Sequence, residues 1–305
     1  MPGARRTLIP TARAAAAAAL LIACFGGPAA VAGPVIEYLG THVWQEADED
    51  FGGFSGLELT ADGSGFTALS DRGTLRWGSI HRDRQGRIRE LSTAGHARLQ
   101  DSNGTPLKPG YLGDAEGLAI DRQGRIFVSF EGLDRIARYD DPDSPADPIP
   151  RADWFRKLRR NLGLEALAIT DTGDLLTIPE AWPDEGNGFP VWRYRGGAWS
   201  NPFHLPRDDA WAPVGADIGP DGRLYVLERH FRGLRGFQSR VRRYEFGEDY
   251  AGPPETLIET SLLQFDNLEG IAVWADGQGI RITMISDDNF LFLQRTELVE
   301  YRIRD

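Results

Sequence analysis

Gly113-Asp-Ala-Glu-Gly-Leu-Ala-Ile-Asp-Arg-Gln-Gly-Arg-Ile-Phe-Val-Ser-Phe-Glu131 is the stretch that decides the fold. An acid and a glycine open a short apolar run, Asp121 to Gly124 form a polar turn, and a second apolar run from Ile126 to Phe130 closes on another acid. Two short strands joined by a tight turn are a hairpin. Its two ends share one edge, so Glu116 and Glu131 are delivered to the same face.

The pattern returns along the chain. Phe54-Ser55-Gly56-Leu57 runs through a turn at Asp62-Gly63 to Asp71, and Trp77–Ile80 and Arg87–Leu91 add two more strands. Leu164-Glu165-Ala166-Leu167 leads to Glu180, Val214-Gly215-Ala216-Asp217 to Glu228, and Leu268-Glu269-Gly270-Ile271 to Asp287. Taking Ser55, Glu116, Glu165, Gly215 and Glu269 as equivalent, the spacings are 61, 49, 50 and 54 residues. A period near fifty with four strands per repeat indicates an all-β propeller. Five four-stranded blades are counted, and a degenerate sixth is the alternative. The last repeat supplies a third strand at Leu298 to Ile303 and then stops, whereas Val35 to Trp44 is a strand with no hairpin of its own. Pairing the two would close the ring and remove exposed sheet edges.

Composition agrees with this class. Glycine (36) and proline (19) punctuate short apolar runs, and no long amphipathic pattern interrupts them. One segment departs from the repeat: Asp153 precedes Trp154 and Leu158 at helical spacing, predicting an aspartate-capped turn or two of helix that carries Arg156, Lys157, Arg159 and Arg160 to the acid-bearing face.

Residues 1–32 read as a secretory leader: Arg5, Arg6 and Arg13, an apolar run from Ala14 to Phe25, and small residues at Ala30-Val31-Ala32. Leu21-Ile22-Ala23-Cys24 also resembles a lipobox, so Cys24 is either lipidated or discarded with the leader. Both outcomes place the protein outside the cytoplasm, periplasmic or extracellular, and only a lipid on Cys24 would tether it to a membrane. Residues 33–305 then form the propeller domain, without a disulfide because Cys24 is the sole cysteine. A net charge of -11 argues against a nucleic-acid partner.

In a propeller the first strand of each blade lines the central channel, so Glu116, Glu165 and Glu269 should crowd its mouth, with Asp71, Glu131, Glu180, Glu228 and Asp287 or Asp288 one step further out. Converging carboxylates repel unless they are protonated, paired with arginine or bound to a cation. Calcium, which accepts six to eight hard oxygen ligands, is the expected cofactor, with Glu116, Glu165, Glu269 and Asp287 as its ligands. The same acids could instead accept backbone N–H bonds and hold blades together. Glu228-Arg229-His230-Phe231-Arg232 concentrates reactive types: His230 as an acid or base, with Glu131 and Glu180 as further catalytic candidates, and Arg229 and Arg232 to dock an anionic substrate group. G-x-S-x-G, Walker, H-E-x-x-H and EF-hand patterns are absent.

On Phe54-Ser55-Gly56-Leu57, Gly113-Asp114-Ala115-Glu116-Gly117-Leu118, Leu164-Glu165-Ala166-Leu167 and Leu268-Glu269-Gly270-Ile271, the mature chain resembles the bacterial phytase-like family, also described by its esterase-like activity. The resemblance implies a secreted propeller that hydrolyses an ester of a small molecule, with calcium at an acid-lined mouth. A non-catalytic extracytoplasmic binding or scaffold propeller and a gluconolactonase-like lactonase are the alternatives.

Overall fold

The computed structural model describes residues 3, 33–158, 163–182, 188–208 and 210–304. The leader, with Arg5, Arg6, Arg13 and Cys24, and the basic residues Arg159 and Arg160 lie outside the described residues. Every strand among the described residues lies in one unit, Pro34–Asp305.

These strands follow one another as β1 (Val35–Val43), β2 (Phe54–Leu59), β3 (Gly65–Ser70), β4 (Thr74–Arg82) and β5 (Ile88–Arg98). Next come β6 (Ala115–Ile120), β7 (Ile126–Phe130), β8 (Arg135–Tyr139) and β9 (Asp147–Pro148), then β10 (Ala166–Ile169), β11 (Leu175–Ile178), β12 (Phe189–Arg195) and β13 (Ala198–Leu205). The remainder are β14 (Ala212–Ile218), β15 (Leu224–Phe231), β16 (Phe237–Tyr244), β17 (Glu255–Glu259), β18 (Asn267–Ala275), β19 (Ile280–Asp287) and β20 (Glu297–Arg304). They form five four-stranded antiparallel sheets, β2 to β5, β6 to β9, β10 to β13, β14 to β17, and β18-β19-β20-β1. Inner strands β2, β6, β10, β14 and β18 touch one another in ring order. This is a five-bladed propeller, and among the described residues there is no sixth blade.

Closure follows the expected route. β1 pairs antiparallel with β20 from Val35↔Arg304 to Val43↔Glu297, so the last blade takes its outer strand from the start of the domain. Buried charges reinforce the joint. Glu300 receives Arg281 and, from the first blade, Arg82, each at 2.6 Å, and Arg281 also donates to the Gly86 carbonyl at 2.8 Å.

Blades pack face to face, and each seam has its own apolar cluster. Leu69 and Leu75 meet Leu118 and Phe130 between blades 1 and 2; Phe127 and Ile136 meet Leu164 and Leu167 between 2 and 3; Ile178 and Phe189 meet Leu224 and Val226 between 3 and 4. Leu227 and Val241 meet Ile271 and Met284 between 4 and 5, and Ile285 and Leu298 meet Phe54 and Leu57 across the closure. Strands buried on both faces must be apolar throughout rather than alternating. That is why Ile126–Phe130 is an unbroken buried run. Each fully buried Leu or Phe contributes about 1.5–3 kcal/mol.

The predicted helix is a 3-10 turn, Asp153–Lys157, preceded by Ala152 with no side-chain cap. Asp153 therefore sits inside the first turn instead of capping it. The consecutive rings Trp154 and Phe155 are both buried, and Trp154 stacks on Trp192 at 4.1 Å, which fixes the turn by packing where the helical pattern called for Leu158. Arg156 and Lys157 are exposed.

Candidate active site at the channel mouth

Strand register shows how the repeated acid is aimed. Pairing slips between Phe54 and Gly56, between Ala115 and Leu118, between Pro213 and Gly215, and between Leu268 and Gly270. A β-bulge adds one residue to one strand and re-aims its side chain. In blade 3, β10 pairs from Ala166 onward, and Glu180 N–H donates to the Gly163 carbonyl at 3.0 Å, which leaves Glu165 in the same place. The equivalent positions are thus Ser55, Glu116, Glu165, Val214 and Glu269. This corrects the expected alignment on Gly215, which instead matches Gly117 and Gly270. The glycine is required because neighbouring inner strands nearly touch there: a Cβ on Gly117 would lie 2.7 Å from the Glu165 carbonyl oxygen.

Register also defines the second ring. Asp71 pairs back to Gly53 at 2.7 Å, Glu131 to Asp114 at 2.8 Å and Glu180 to Gly163 at 3.0 Å, while Arg229 lies opposite Ala212 and Asp287 opposite Asn267. Blade 4 therefore contributes Arg229 where the other four contribute an acid. Glu228, expected in this ring, is one residue out of phase and points to the other side of β15, since successive strand side chains alternate. It is wholly buried between Arg240, at 2.7 Å, and Arg242, a structural triad.

The mouth is thus a ring of carboxyls with one arginine. Arg229 ion-pairs with Glu180 at 2.9 Å and with Glu269, which also accepts Asn267 Nδ2 at 2.7 Å. Burial alone would lower the Arg229 pKa, but Glu269, Glu165 and Glu180 outweigh it and raise the value. On the far side, Asp114, Glu116 and Glu131 each place a carboxylate oxygen within 4.8 Å of the others. Glu116 and Glu165 are 9% and 7% exposed, and among the described residues neither carboxylate has a hydrogen bond or ion pair. Burial, then mutual repulsion, holds both pKa values well above the ordinary carboxyl range. Glu131 is pushed up to about 7 by burial, opposed by an N–H bond from Gly163 at 2.8 Å. Asp287 reaches about 8 by burial and the nearness of Glu269, and Asp71 about 6 by burial and Asp114.

Of the residues singled out in the sequence, Glu116, Glu165, Glu269, Asp287, Glu131, Glu180 and Arg229 all stand at this mouth. Glu269 is committed to Arg229, and Asp287 accepts the Asn289 N–H at 2.6 Å. Asp288 serves the backbone instead, accepting Gly53 N–H at 2.9 Å. His230 lies on the opposite face of β15 from Arg229, edge-on to Trp211 at 5.4 Å, with its pKa lowered by burial and by Arg232. Arg232 is exposed at the start of a short 3-10 turn, Gly233–Arg235. Sequence reasoning passed over Asp114 as a ligand and Asn267 altogether; each sits two residues before its blade's glutamate, a spacing that could have revealed them. It also passed over a cavity of about 510 Å³ beside Arg229, which includes Glu180, Asn267, Phe189, Trp211, Phe231 and Phe237 in its lining.

Asp114, Glu116 and Glu131 fit a calcium ion: all donors are hard oxygens, they converge, and among the described residues none of the three is in an ion pair. A zinc-type set of histidine and cysteine is not present at the mouth among the described residues.

A five-bladed propeller with an acid-lined mouth is the class that fold and site define. The sequence matches the phytase-like family, described as esterase-like activity of phytase, over residues 49–290, and the chain belongs to that family. No curated protein matches it. Among solved structures it is similar to the PQQ-bound aldose sugar dehydrogenase of Streptomyces coelicolor, at 14% identity and a TM-score of 0.45 over 87% of this chain and 98% of that one. It is also similar to a gluconolactonase of Xanthomonas campestris, at 15% identity and a TM-score of 0.44 over 82% of this chain and 72% of that one.

Proposed function

We propose that this protein is an exported hydrolase of ester bonds, working at the acid-lined mouth with calcium held by Asp114, Glu116 and Glu131. The observation that carries the proposal is the convergence of these three carboxyls on a face that also holds Arg229 and a substrate-sized cavity. Such a constellation is unfavourable for folding alone, because converging carboxyls repel one another unless they are protonated, paired or bound to a cation.

Calcium bound there would supply positive charge to stabilise oxyanion character and favour ionised water. The chain's own groups account for the proton and for orientation. Glu131, kept ionised once a cation is held beside it, would accept a hydrogen bond from the attacking water and relay that proton to the departing alkoxide. Water oxygen bonds to the acyl carbon as the ester C–O bond breaks, leaving acid and alcohol. Arg229, held in place by Glu180 and Glu269, offers N–H groups to the charge that develops on the carbonyl oxygen. Glu180 is thereby a positioning residue.

A scaffold without catalysis is favoured by a different observation: Glu131 receives the Gly163 N–H, and Ser55 Oγ donates to the Ala115 carbonyl at 2.7 Å, so two ring positions stitch neighbouring blades. A panel of chromogenic carboxylic-ester, phosphate-ester and lactone substrates, assayed with calcium and then with chelator, separates the two. Calcium-dependent turnover of an ester supports the hydrolase. Absence of turnover in every class, with a melting temperature indifferent to chelator, establishes the scaffold.

A further inference from the structure

The cavity beside Arg229 differs in character from the acid cluster. Phe189 and Trp211 line it as buried rings, and Phe231 and Phe237, 5.1 Å apart, line it from the β15–β16 hairpin. Phe231 is 63% exposed and Leu263, which packs against Gly236 in the same turn, is 70% exposed. Large apolar side chains left in water around a concave site mark a surface that binds something. A volume of about 510 Å³ is in the range of small-molecule sites.

Charge narrows the ligand. The two arginines of the lining are both engaged: Arg229 by Glu180 and Glu269, and Arg207 against the Phe189 ring and the Trp182 carbonyl. The carboxyls of blades 1, 2, 3 and 5 surround the mouth, and their field repels polyanions. Arg229 and Phe231 share one side of β15, two residues and so about 7 Å apart along the strand. The cavity thus has a polar end next to the carboxyl ring and an aromatic end facing outward.

We propose that this cavity receives the uncharged, apolar part of the substrate, an aryl or medium-length acyl group, and that the ester cleaved is a neutral one. The location of the reacting bond rests on the hydrolase proposal above; the cavity's ligand does not. Substrate would enter with its ester group at Arg229 and its apolar group among Phe189, Trp211, Phe231 and Phe237.

The test uses binding as well as turnover. Acetanilide, butyranilide and hexananilide are uncleaved amide counterparts of aryl esters, and their affinities are measured by isothermal titration against the full chain. Affinity should rise roughly fourfold per added methylene. Phe231→Ser combined with Phe237→Ser should remove that gain, and so should Ala210→Trp, which fills the cavity from an exposed lining position and keeps the test valid if the double variant folds poorly. Affinity independent of chain length, or a gain that survives in both variants, overturns the proposal. A chain-length gain without hydrolysis of any ester would sink the hydrolase and leave the cavity assignment standing; hydrolysis without a chain-length gain would do the reverse.

Discussion

Glu131 accepts a 2.8 Å hydrogen bond from the Gly163 N–H of the next blade while its carboxyl stands within 4.8 Å of those of Asp114 and Glu116. One side chain is therefore both a stitch between blades and a member of the acid cluster. With its pKa near 7 in the ion-free protein, Glu131 must lose a proton to bind a cation below that pH. Calcium affinity should climb by up to tenfold per pH unit below about 7 and level off above it, and Glu131→Gln should weaken binding and flatten the climb. A wild-type affinity flat between pH 5.5 and 7.5 would remove Glu131 from the ligand set; these pH limits bracket the value of about 7.

Stability carries the same signature. Asp71, Glu131 and Asp287 have folded-state values of about 6, 7 and 8, above their ordinary values of 3.8 to 4.5. Between the two values the folded state binds more protons than the unfolded one, so stability falls as pH rises. In chelator the melting temperature should decline steadily from pH 4 to about 8. Calcium at about a hundred times its Kd should restore about 2.7 kcal/mol at the alkaline end. A melting temperature that rises over that interval in chelator would contradict the unpaired state of the ring.

Glu116→Gln replaces a carboxyl whose ionisation is opposed by burial and by Glu165 and Glu269 with a neutral group of the same shape. In chelator at pH 8 the variant should melt several degrees above wild type, and calcium should add nothing further; a one-kcal/mol change corresponds to about 2–4 °C in a domain of this size. Destabilisation of Glu116→Gln in chelator would show that the carboxylate is held by contacts of its own.

Glu228 offers the opposite case. It is wholly buried but bonded to Arg240 and Arg242, so Glu228→Ala leaves Arg242 without a carboxylate and Arg240 with Asp208 alone, and should cost about 3–5 kcal/mol in urea unfolding. The calcium response should stay unchanged. Loss of that response would place Glu228 at the mouth after all.

These two glutamates show where sequence legibility stops. Blade count, strand positions and ring closure were readable because hairpins repeat at a nearly constant interval and because an orphan strand at Val35 matched a missing one after Ile303. Glu116, Glu165 and Glu269 were readable from the acid-glycine-leucine signature. Bulges were not: one inserted residue shifts the phase, so Val214 rather than Gly215 completes the inner ring, and Arg229 rather than Glu228 completes the outer one. A shift of one residue exchanges the two faces of a strand. Phe189, Trp211 and Phe231 are brought together by the meeting of blades 3 and 4, which no local spacing encodes.

The central claim is a cation held by Asp114, Glu116 and Glu131, and calorimetric titration of chelator-stripped protein with calcium tests it most directly. Saturable binding in wild type, lost in Asp114→Asn combined with Glu116→Gln while circular dichroism stays the same, is the predicted result. Equal calcium affinity in the wild type and the double variant would contradict it.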